Sequence, residues 1–232
     1  MAKAKKVVSP AGIAVYPRLN EPDTKFDPDG TYHVKLRADS DEPAIAKHIE
    51  QIDAWHEESR AKQYEELLAA DNKYKTPAAV KKVCKDGDKP YTYETDEDGE
   101  DTNIVLFSYK MKSQVTARKD GKVYTFKPVY IDAHKKVLKG DAIPQIWGGS
   151  ELKVRFEPIL WNSVKLGASV QLRMDAVQIL SLVEGGESTE GFDEEEGYEG
   201  DDYTPGSEKA APAAAATGDA PEAEETSDDG DF

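Results

Sequence analysis

The sequence predicts a mainly β protein that contains one inserted α-helix and ends in a disordered acidic tail. Three observations support this fold class. Apolar residues alternate with polar ones along several segments of residues 101–183, a helical stripe of apolar residues occupies about 43–75, and acidic residues are concentrated after residue 183. We therefore expect an ordered domain over residues 1–183 and a tail over residues 184–232.

Charge is distributed unevenly along the 232 residues, whose formal net charge is −16. Residues 184–232 contain 18 acidic residues and one basic residue, Lys209, whereas residues 1–183 carry a net charge of +1. Because the tail has few large apolar side chains, it cannot bury enough surface to offset the entropy lost on ordering. The composition fits either a simple solubilising tail or a segment that binds a partner.

Composition and spacing argue against several classes of protein. No run approaches the ~20 apolar residues of a membrane helix, and the basic N-terminus lacks the apolar segment of a signal peptide. The lone cysteine, Cys84, cannot form an internal disulfide, which suits a reducing cytosol. There is no phosphate-binding glycine loop or paired-histidine spacing, and the acidic segment 94–99 has Val105 where a calcium loop needs glutamate. We predict a non-enzymatic protein without metal, cofactor or membrane association.

The first half of the domain is expected to contain two strands followed by the helix. The strands are predicted at residues 12–16 and 31–38. Ser40 to Glu42 supply candidate N-cap side chains, and Pro43 suits the first helical turn. Residues at helical spacing then form one apolar stripe, which we expect to pack on the core. The stripe comprises Ile45, Ile49, Ile52, Trp55, Tyr64, Leu67 and Leu68.

A period of two dominates the second half of the domain. Apolar or aromatic residues alternate with polar ones over 105–111, which predicts a strand with one face toward the core. Lys119-Asp120-Gly121 is a hairpin turn signal, and residues 123–131 are predicted to return as one strand. Alternation over 152–157 and 165–176 predicts two further strands, and the pattern changes phase after Ala176, as a β-bulge or a sharp bend would require.

About five curved antiparallel strands with one inserted helix indicate a small closed barrel. The OB-fold is a five-stranded barrel of this kind, and it is used to bind oligonucleotides. Residues 101–183 carry a net charge of +6, and aromatic residues are interleaved with the cations. Lys and Arg side chains can neutralise phosphates while aromatic rings stack on unpaired bases. The same pattern is also that of an ordinary solvated surface around an aromatic core.

The candidate DNA contacts come from the outward positions of the predicted strands. The basic members are Arg37, Lys110, Lys112, Lys153, Arg155, Lys165 and Arg173. Trp161 follows Pro158 between two predicted strands, where a loop would hold the indole near the surface for stacking. A tryptophan packed inside such a loop is the alternative interpretation.

The chain terminus forms a second candidate site. Asp228, Asp229 and Asp231 offer negative charges like those of phosphates, and Phe232 offers a ring like that of a base. Such a peptide could occupy a DNA groove on its own protein or a basic pocket on a partner.

Short motifs in residues 143–184 and at both termini resemble those of a known family. They are Gly148-Gly149-Ser150-Glu151-Leu152-Lys153-Val154, Trp161-Asn162, Val164, Gly167-Ala168-Ser169-Val170, Met1-Ala2-Lys3 and Asp229-Gly230-Asp231-Phe232. Together with the layout of helix, barrel and tail, they make the chain similar to the acidic-tailed single-stranded DNA-binding proteins of short-tailed phages of the T-seven type.

The resemblance implies a homodimeric protein that coats single-stranded DNA without sequence preference and promotes annealing of complementary strands. It implies roles in phage DNA replication, recombination and repair in the cytoplasm of the infected bacterial host. The tail would contact the phage DNA polymerase and primase-helicase. We expect it also to compete with DNA for the barrel groove. The alternative is an acidic-tailed interaction protein or chaperone that binds basic partners.

The resemblance also implies roles for single residues. By position, Trp161 is similar to the family's stacking residue, Lys110 to a groove cation, Lys3 to an N-terminal DNA contact and Phe232 to the anchoring ring of the tail. The chain departs from the family at Ile159, where the family has an aromatic residue two positions before this tryptophan. Stacking is then expected to depend on other rings, with Tyr109, Tyr124 and Trp147 as candidates.

Overall fold

The computed structural model describes residues 6–69, 76–117, 120–163 and 165–183. All of them fall within one unit, residues 1–187, and the second unit, residues 188–232, lies outside the described residues. The predicted tail and its boundary after residue 183 therefore stay predictions. The strands are β1 (Val7–Val8), β2 (Gly12–Asp23), β3 (Thr31–Asp39), β4 (Tyr91–Thr95), β5 (Asp101–Lys112), β6 (Gln114–Thr116), β7 (Val123–Thr125), β8 (Val129–Ile131), β9 (Val137–Leu138), β10 (Glu151–Ser163) and β11 (Gly167–Ser181).

Five of these strands close into a barrel. Strand β2 pairs with β3, β3 with β5, β5 with β11 and β11 with β10, and β10 returns to β2 through the pairs Glu151–Ile13 and Leu152–Gly12. All of these pairings are antiparallel except that of β5 with β11, which is parallel. The mainly β class and the five-stranded OB-type barrel predicted from the sequence are confirmed. Both early strands are also present, although β2 extends seven residues beyond the predicted end at Tyr16.

The core inside the barrel consists of the apolar residues that the alternating pattern predicted to face inward. In β5 the predicted inward residues Val105, Phe107, Tyr109 and Met111 are all buried. Leu166 belongs to the apolar phase of the strand predicted over 165–176, but it is 67% exposed because it lies in the turn between β10 and β11. The predicted bulge is present: Arg155 pairs with Ala176 and Phe156 with Met174, so that the register skips Asp175.

Two helices connect β3 to β4. The long helix, α1 (Pro43–Ala69), begins where the sequence predicts, and residues 70–75 of the predicted helical insert lie outside the described residues. A second helix, α2 (Pro77–Val83), was not predicted. The Thr76 hydroxyl accepts a hydrogen bond from the Ala79 N–H at 3.3 Å, so Thr76 and Pro77 start a helix. Thr at the N-cap and Pro at the first helical position are residues that open helices.

The hairpin signal at residues 119–121 is correct, but the returning strand is not continuous. Strand β6 pairs with β7, and the Gly121 N–H donates to the Ala117 carbonyl at 2.9 Å. The predicted strand 123–131 is divided into β7 and β8, with Pro128, which has no N–H to donate to a ladder, just before β8. Strand β8 then pairs in parallel with β11.

Candidate nucleic-acid interface

A concave groove of about 320 Å³ lies on the barrel where β5, β10 and β11 meet. Its lining brings together Lys110 and Trp161, two of the residues predicted to contact DNA. Lys110 is opposite Arg173 of β11, and Trp161 is opposite Ser169 of the same strand, so the sheet register places both beside β11. The remaining lining residues are Lys89, Pro90, Ser108, Ser169, Val170, Gln171 and Leu172.

Trp161 lies within strand β10, two residues before its end, and the prediction that it sits in a loop is wrong. Its side chain is half-buried, and its backbone is held by helix α1. The Ser59 hydroxyl donates to the Trp161 carbonyl at 2.8 Å, and Gln63 Nε2 donates to the Ser163 carbonyl at 3.1 Å. The indole is therefore presented to the groove by a fixed backbone.

Ile159 lies on the same face of β10 as Trp161. It is opposite Gln171, and Trp161 is opposite Ser169, so the two residues project in the same direction along neighbouring positions of the hairpin. The half-buried Ile159 side chain therefore adds an apolar surface beside the indole. This surface lacks the aromatic face that would stack on a second base.

Lys89 is a groove residue that the sequence analysis missed. Its Nζ is 2.7 Å from the Asp53 carboxylate of α1 and 3.1 Å from the Tyr91 hydroxyl. The hydrogen bond to Asp53 raises the pKa of Lys89 above its usual range. Lys89 keeps its positive charge, but Asp53 offsets part of the field that this charge projects into the groove. Residues 85–90 show no periodic pattern, so only the pairing of β4 with β5 reveals that Lys89 lies in the groove.

Tyr109 cannot act as a stacking platform in this structure, so that prediction is corrected. The side chain is fully buried, 5.3 Å from the Phe156 ring centroid, and its hydroxyl is 3.0 Å from His48 Nε2. Burial raises the pKa of Tyr109 far above its usual range. The residue belongs to the apolar phase of β5, whose polar phase carries Lys110.

Two of the predicted DNA contacts, Arg37 and Arg155, form bidentate ion pairs with carboxylates. Arg37 binds both carboxylate oxygens of Glu94 at 2.8 and 2.9 Å, and this interaction lowers the pKa of Glu94. Arg155 binds both oxygens of Asp175 at 2.9 Å, and Lys6 also contacts that carboxylate. Although burial acts to raise the pKa of Asp175, the bonds from Arg155 and Lys6 outweigh it and lower the pKa. Neither arginine lines the groove.

The other predicted cations differ in whether they form ion pairs and whether they line the groove. Lys112 is on the same strand face as Lys110 and is 3.6 Å from Asp27, while Arg173 is opposite Lys110 and pairs with Glu157. Among the described residues, Lys110, Lys153 and Lys165 form no ion pair; of these, only Lys110 lines the groove. Lys3, Asp228, Asp229, Asp231 and Phe232 lie outside the described residues.

Comparison with known proteins places the chain in a family. The family model described as single-stranded DNA-binding protein, bacteriophage T7, matches residues 11–182. A protein of Escherichia phage T7 named single-stranded DNA-binding protein is 32% identical over an alignment of 219 positions, which covers 89% of this chain and 86% of the relative. The chain belongs to this family.

Solved structures agree with the family assignment. The crystal structure of gp2.5, a single-stranded DNA-binding protein encoded by bacteriophage T7, superposes with a TM-score of 0.64 at 25% identity. It covers 86% of this chain and 100% of its own. The single-stranded DNA-binding protein of bacteriophage Enc34, in a C-terminal truncation, shares the fold with a TM-score of 0.50 at 11% identity over 77% of this chain and 87% of its own. The barrel is thus common to the phage T7 family and to a distant phage protein.

The described residues of this member of the phage T7 family contain neither a metal-binding cluster nor a membrane-spanning helix. Within residues 6–69, 76–117, 120–163 and 165–183, no group of three or more His, Cys, Asp or Glu side chains could hold a metal ion. No helix in the same residues is long and apolar enough to cross a membrane. The groove at Lys110 and Trp161 remains the candidate functional site of the family fold.

Proposed function

We propose that this protein binds single-stranded DNA without sequence preference through the groove at Lys110 and Trp161. The observation that supports this function best is that one concave site of a protein from the phage T7 family holds an aromatic ring and a lysine that pairs with none of the described carboxylates. The lysine neutralises a phosphate, and the indole stacks on an unpaired base. Because every base has a π-face, stacking of this kind tolerates any sequence.

The role of Trp161 is tested with two substitutions and a fluorescently labelled single-stranded oligonucleotide. Trp161→Ala removes the ring and should raise Kd about fivefold or more, because stacking contributes ~1–3 kcal/mol per base. Trp161→Phe retains a stacking surface and serves as the matched control, with a Kd close to that of the parent. An unchanged Kd for Trp161→Ala would remove this residue from the site.

The role of Lys110 is tested by the salt dependence of binding. Lys110→Ala should reduce the slope of log K against log salt by about 0.7, the value for one phosphate contact on a single strand. Lys47→Ala removes another exposed lysine, which lies on helix α1 and does not line the groove, and should leave the slope unchanged. Equal slopes for Lys110→Ala and the parent would mean that Lys110 contacts no phosphate.

We further propose that binding serves phage DNA replication, recombination and repair inside the cytoplasm of the infected host. Coating of single strands, annealing of complementary strands and action as a homodimer are parts of this proposal. The family membership and the absence of any assembled catalytic constellation in the sequence support a binding role without enzymatic activity. A strand-annealing assay with two complementary oligonucleotides measures the second of these activities directly.

The acidic tail is proposed to have two roles. It competes with DNA for the groove, and it recruits the phage DNA polymerase and primase-helicase. The support is its charge: residues 184–232 contain 18 acidic residues and one basic residue, and the chain ends in Phe232. If neither the full chain nor a tailless variant shifted single-stranded DNA on a gel at low salt, the alternative function as a chaperone for basic partners would be favoured.

A further inference from the structure

A second groove, of about 340 Å³, lies on another part of the barrel surface. It is formed by strand β2 and by the segment that precedes β10, and Trp147 forms one of its walls with 48% of its surface exposed. The remaining lining residues are Pro17, Arg18, Leu19, Asn20, Glu21 and Gln145. An indole and a guanidinium therefore share one concavity, as an indole and an ammonium do in the first groove.

The wall that carries Trp147 is built rigidly. Asn20 Nδ2 donates to the Pro144 carbonyl at 2.8 Å, and the Ile146 N–H donates to Asn20 Oδ1 at 3.0 Å. On the other side of the tryptophan, the Gly149 N–H donates to the Ala14 carbonyl at 2.9 Å. The Trp147 side chain is thus exposed on a backbone that is fixed on both sides, which reduces the entropy that a ligand must remove on binding.

A strained residue beside this groove presents a second aromatic ring to solvent. Tyr16 has φ of 48° and is 80% exposed. Register between β2 and β3 shifts between Val15 and Arg18, so that Tyr16 and Pro17 form a bulge. Bulges redirect side chains, and non-glycine residues in the left-handed region persist where the surrounding structure holds them, often at ligand sites.

A row of basic and titratable side chains connects the two grooves. Arg18 of β2 is opposite His33 of β3, His33 is opposite Lys110 of β5, and Lys110 is opposite Arg173 of β11. Residues that face each other across strands project from the same side of the sheet. With strands about 4.8 Å apart, Arg18 is roughly 10 Å across the sheet from Lys110.

Acidic groups near this row limit its positive charge without removing it. Glu21 lines the second groove, and Asp23 lies 3.5 Å from His33. Arg18 forms no ion pair with another described residue, so its guanidinium is available to an external anion. The row therefore offers one phosphate contact at Arg18 and another at Lys110.

We propose that the second groove is a further nucleotide subsite for the same single strand. The Trp147 indole stacks on one base, Arg18 pairs with an adjacent phosphate, and the strand continues over His33 and Lys110 to Trp161. This inference rests on the proposed function, since it extends the path of the DNA. The occupant is a nucleotide because an exposed indole beside a guanidinium matches both a base and its phosphate.

The inference is tested with a labelled oligonucleotide of about 16 nucleotides, the upper site size of an OB-fold. Trp147→Ala should raise Kd about fivefold or more, and Arg18→Ala should lower the salt slope by about 0.7. Trp147→Phe is the conservative control and should restore most of the affinity. Circular dichroism checks that Trp147→Ala is folded. An unchanged Kd for the folded variant would overturn the proposal.

A covalent readout separates this inference from the proposed function. Oligonucleotides that carry 5-iodouracil form photo-crosslinks to aromatic side chains that lie against the base, and mass spectrometry identifies the modified peptide. We expect adducts at both Trp147 and Trp161 in the parent protein. Adducts at Trp161 alone would overturn the second subsite and leave the proposed function intact, whereas loss of adducts at Trp161 would contradict the first groove itself.

Discussion

At the scale of single residues, His48 shows how the core alters an ionisable side chain. It is 6% exposed and packs against the rings of Phe107 and Phe156, with centroid distances of 5.0 and 5.7 Å. Burial lowers the pKa of His48 from 6.5 to about 4. The native protein therefore holds this imidazole neutral at neutral pH, where its Nε2 is 3.0 Å from the Tyr109 hydroxyl.

This pKa shift predicts a loss of stability between pH 6.5 and pH 4. In that window the unfolded chain binds a proton at His48 that the native state excludes, so the free energy of unfolding falls as the pH decreases. The loss begins as the pH falls below about 6.5 and reaches about 3 kcal/mol at pH 4. Urea denaturation across this range measures it.

Two variants isolate the histidine from the carboxylates that also titrate in acid. His48→Gln should flatten the decline relative to the parent, whereas His134→Gln, a change at an exposed histidine, should leave the decline as it is. Parallel curves for the parent and His48→Gln would show that His48 makes no contribution to acid sensitivity.

The groove also shows which residue positions the sequence pattern could and could not predict. Alternation assigned Lys110 to the outer face and Tyr109 to the core, and the choice of Tyr109 as a stacking ring went against that assignment. Lys89, Ser108 and Gln171 meet in the groove because β4 and β11 both pair with β5. No local pattern in the chain encodes those pairings.

At the scale of elements, the second half of helix α1 supports the Trp161 hairpin. The first half buries apolar residues such as Ile45 and Ile52, whereas the second half turns polar side chains inward. Ser59 and Gln63 bind the carbonyls of Trp161 and Ser163, and Glu66 accepts from Asn162 Nδ2 at 3.1 Å. The three helix residues follow the helical repeat, so one face of α1 positions the last three residues of β10.

We therefore expect Gln63→Met to impair both stability and binding. The substitution keeps the side-chain size but leaves the part-buried Ser163 carbonyl without this donor, which should lower the free energy of unfolding by about 1 kcal/mol or more. Because Trp161 loses part of its support, Kd for single-stranded DNA should rise severalfold while the salt slope stays constant. Gln51→Met changes an exposed glutamine of the same helix and is the matched control. Reduced stability with unchanged Kd would limit Gln63 to a structural role.

Elements were predictable where one periodicity ran without interruption. The alternation in β5, β10 and β11 and the apolar start of α1 all correspond to observed elements. The second half of α1 was also predicted as helix, but its inward polar residues Ser59 and Gln63 were missed because they bind backbone groups, and an apolar stripe does not detect such contacts. The short edge strands β1 and β9 have two residues each, too few for any period to be recognised.

At the scale of the whole molecule, net charge conceals the opposite character of two parts of the chain. The sequence carries −16 in total, but residues 184–232 contain 18 acidic residues against one basic residue, and residues 101–183 carry +6. Strand β11 ends at Ser181, and the Val183 N–H still donates to the Ser150 hydroxyl at 3.2 Å. A truncation after Val183 therefore removes the acidic segment and keeps this last anchor of the barrel.

Truncation after Val183 should strengthen binding to single-stranded DNA, because a tethered polyanion at high effective concentration competes for the same cations. The gain should be largest at low salt and should shrink as the salt concentration rises. Two full-length variants separate the contributions: neutralising the tail's Asp and Glu residues to Asn and Gln tests charge, and Phe232→Ala tests the terminal ring. Fluorescence anisotropy over a salt series gives all four affinities. If the truncated and full-length proteins bound with equal affinity at every salt concentration, the tail would have no part in controlling the groove.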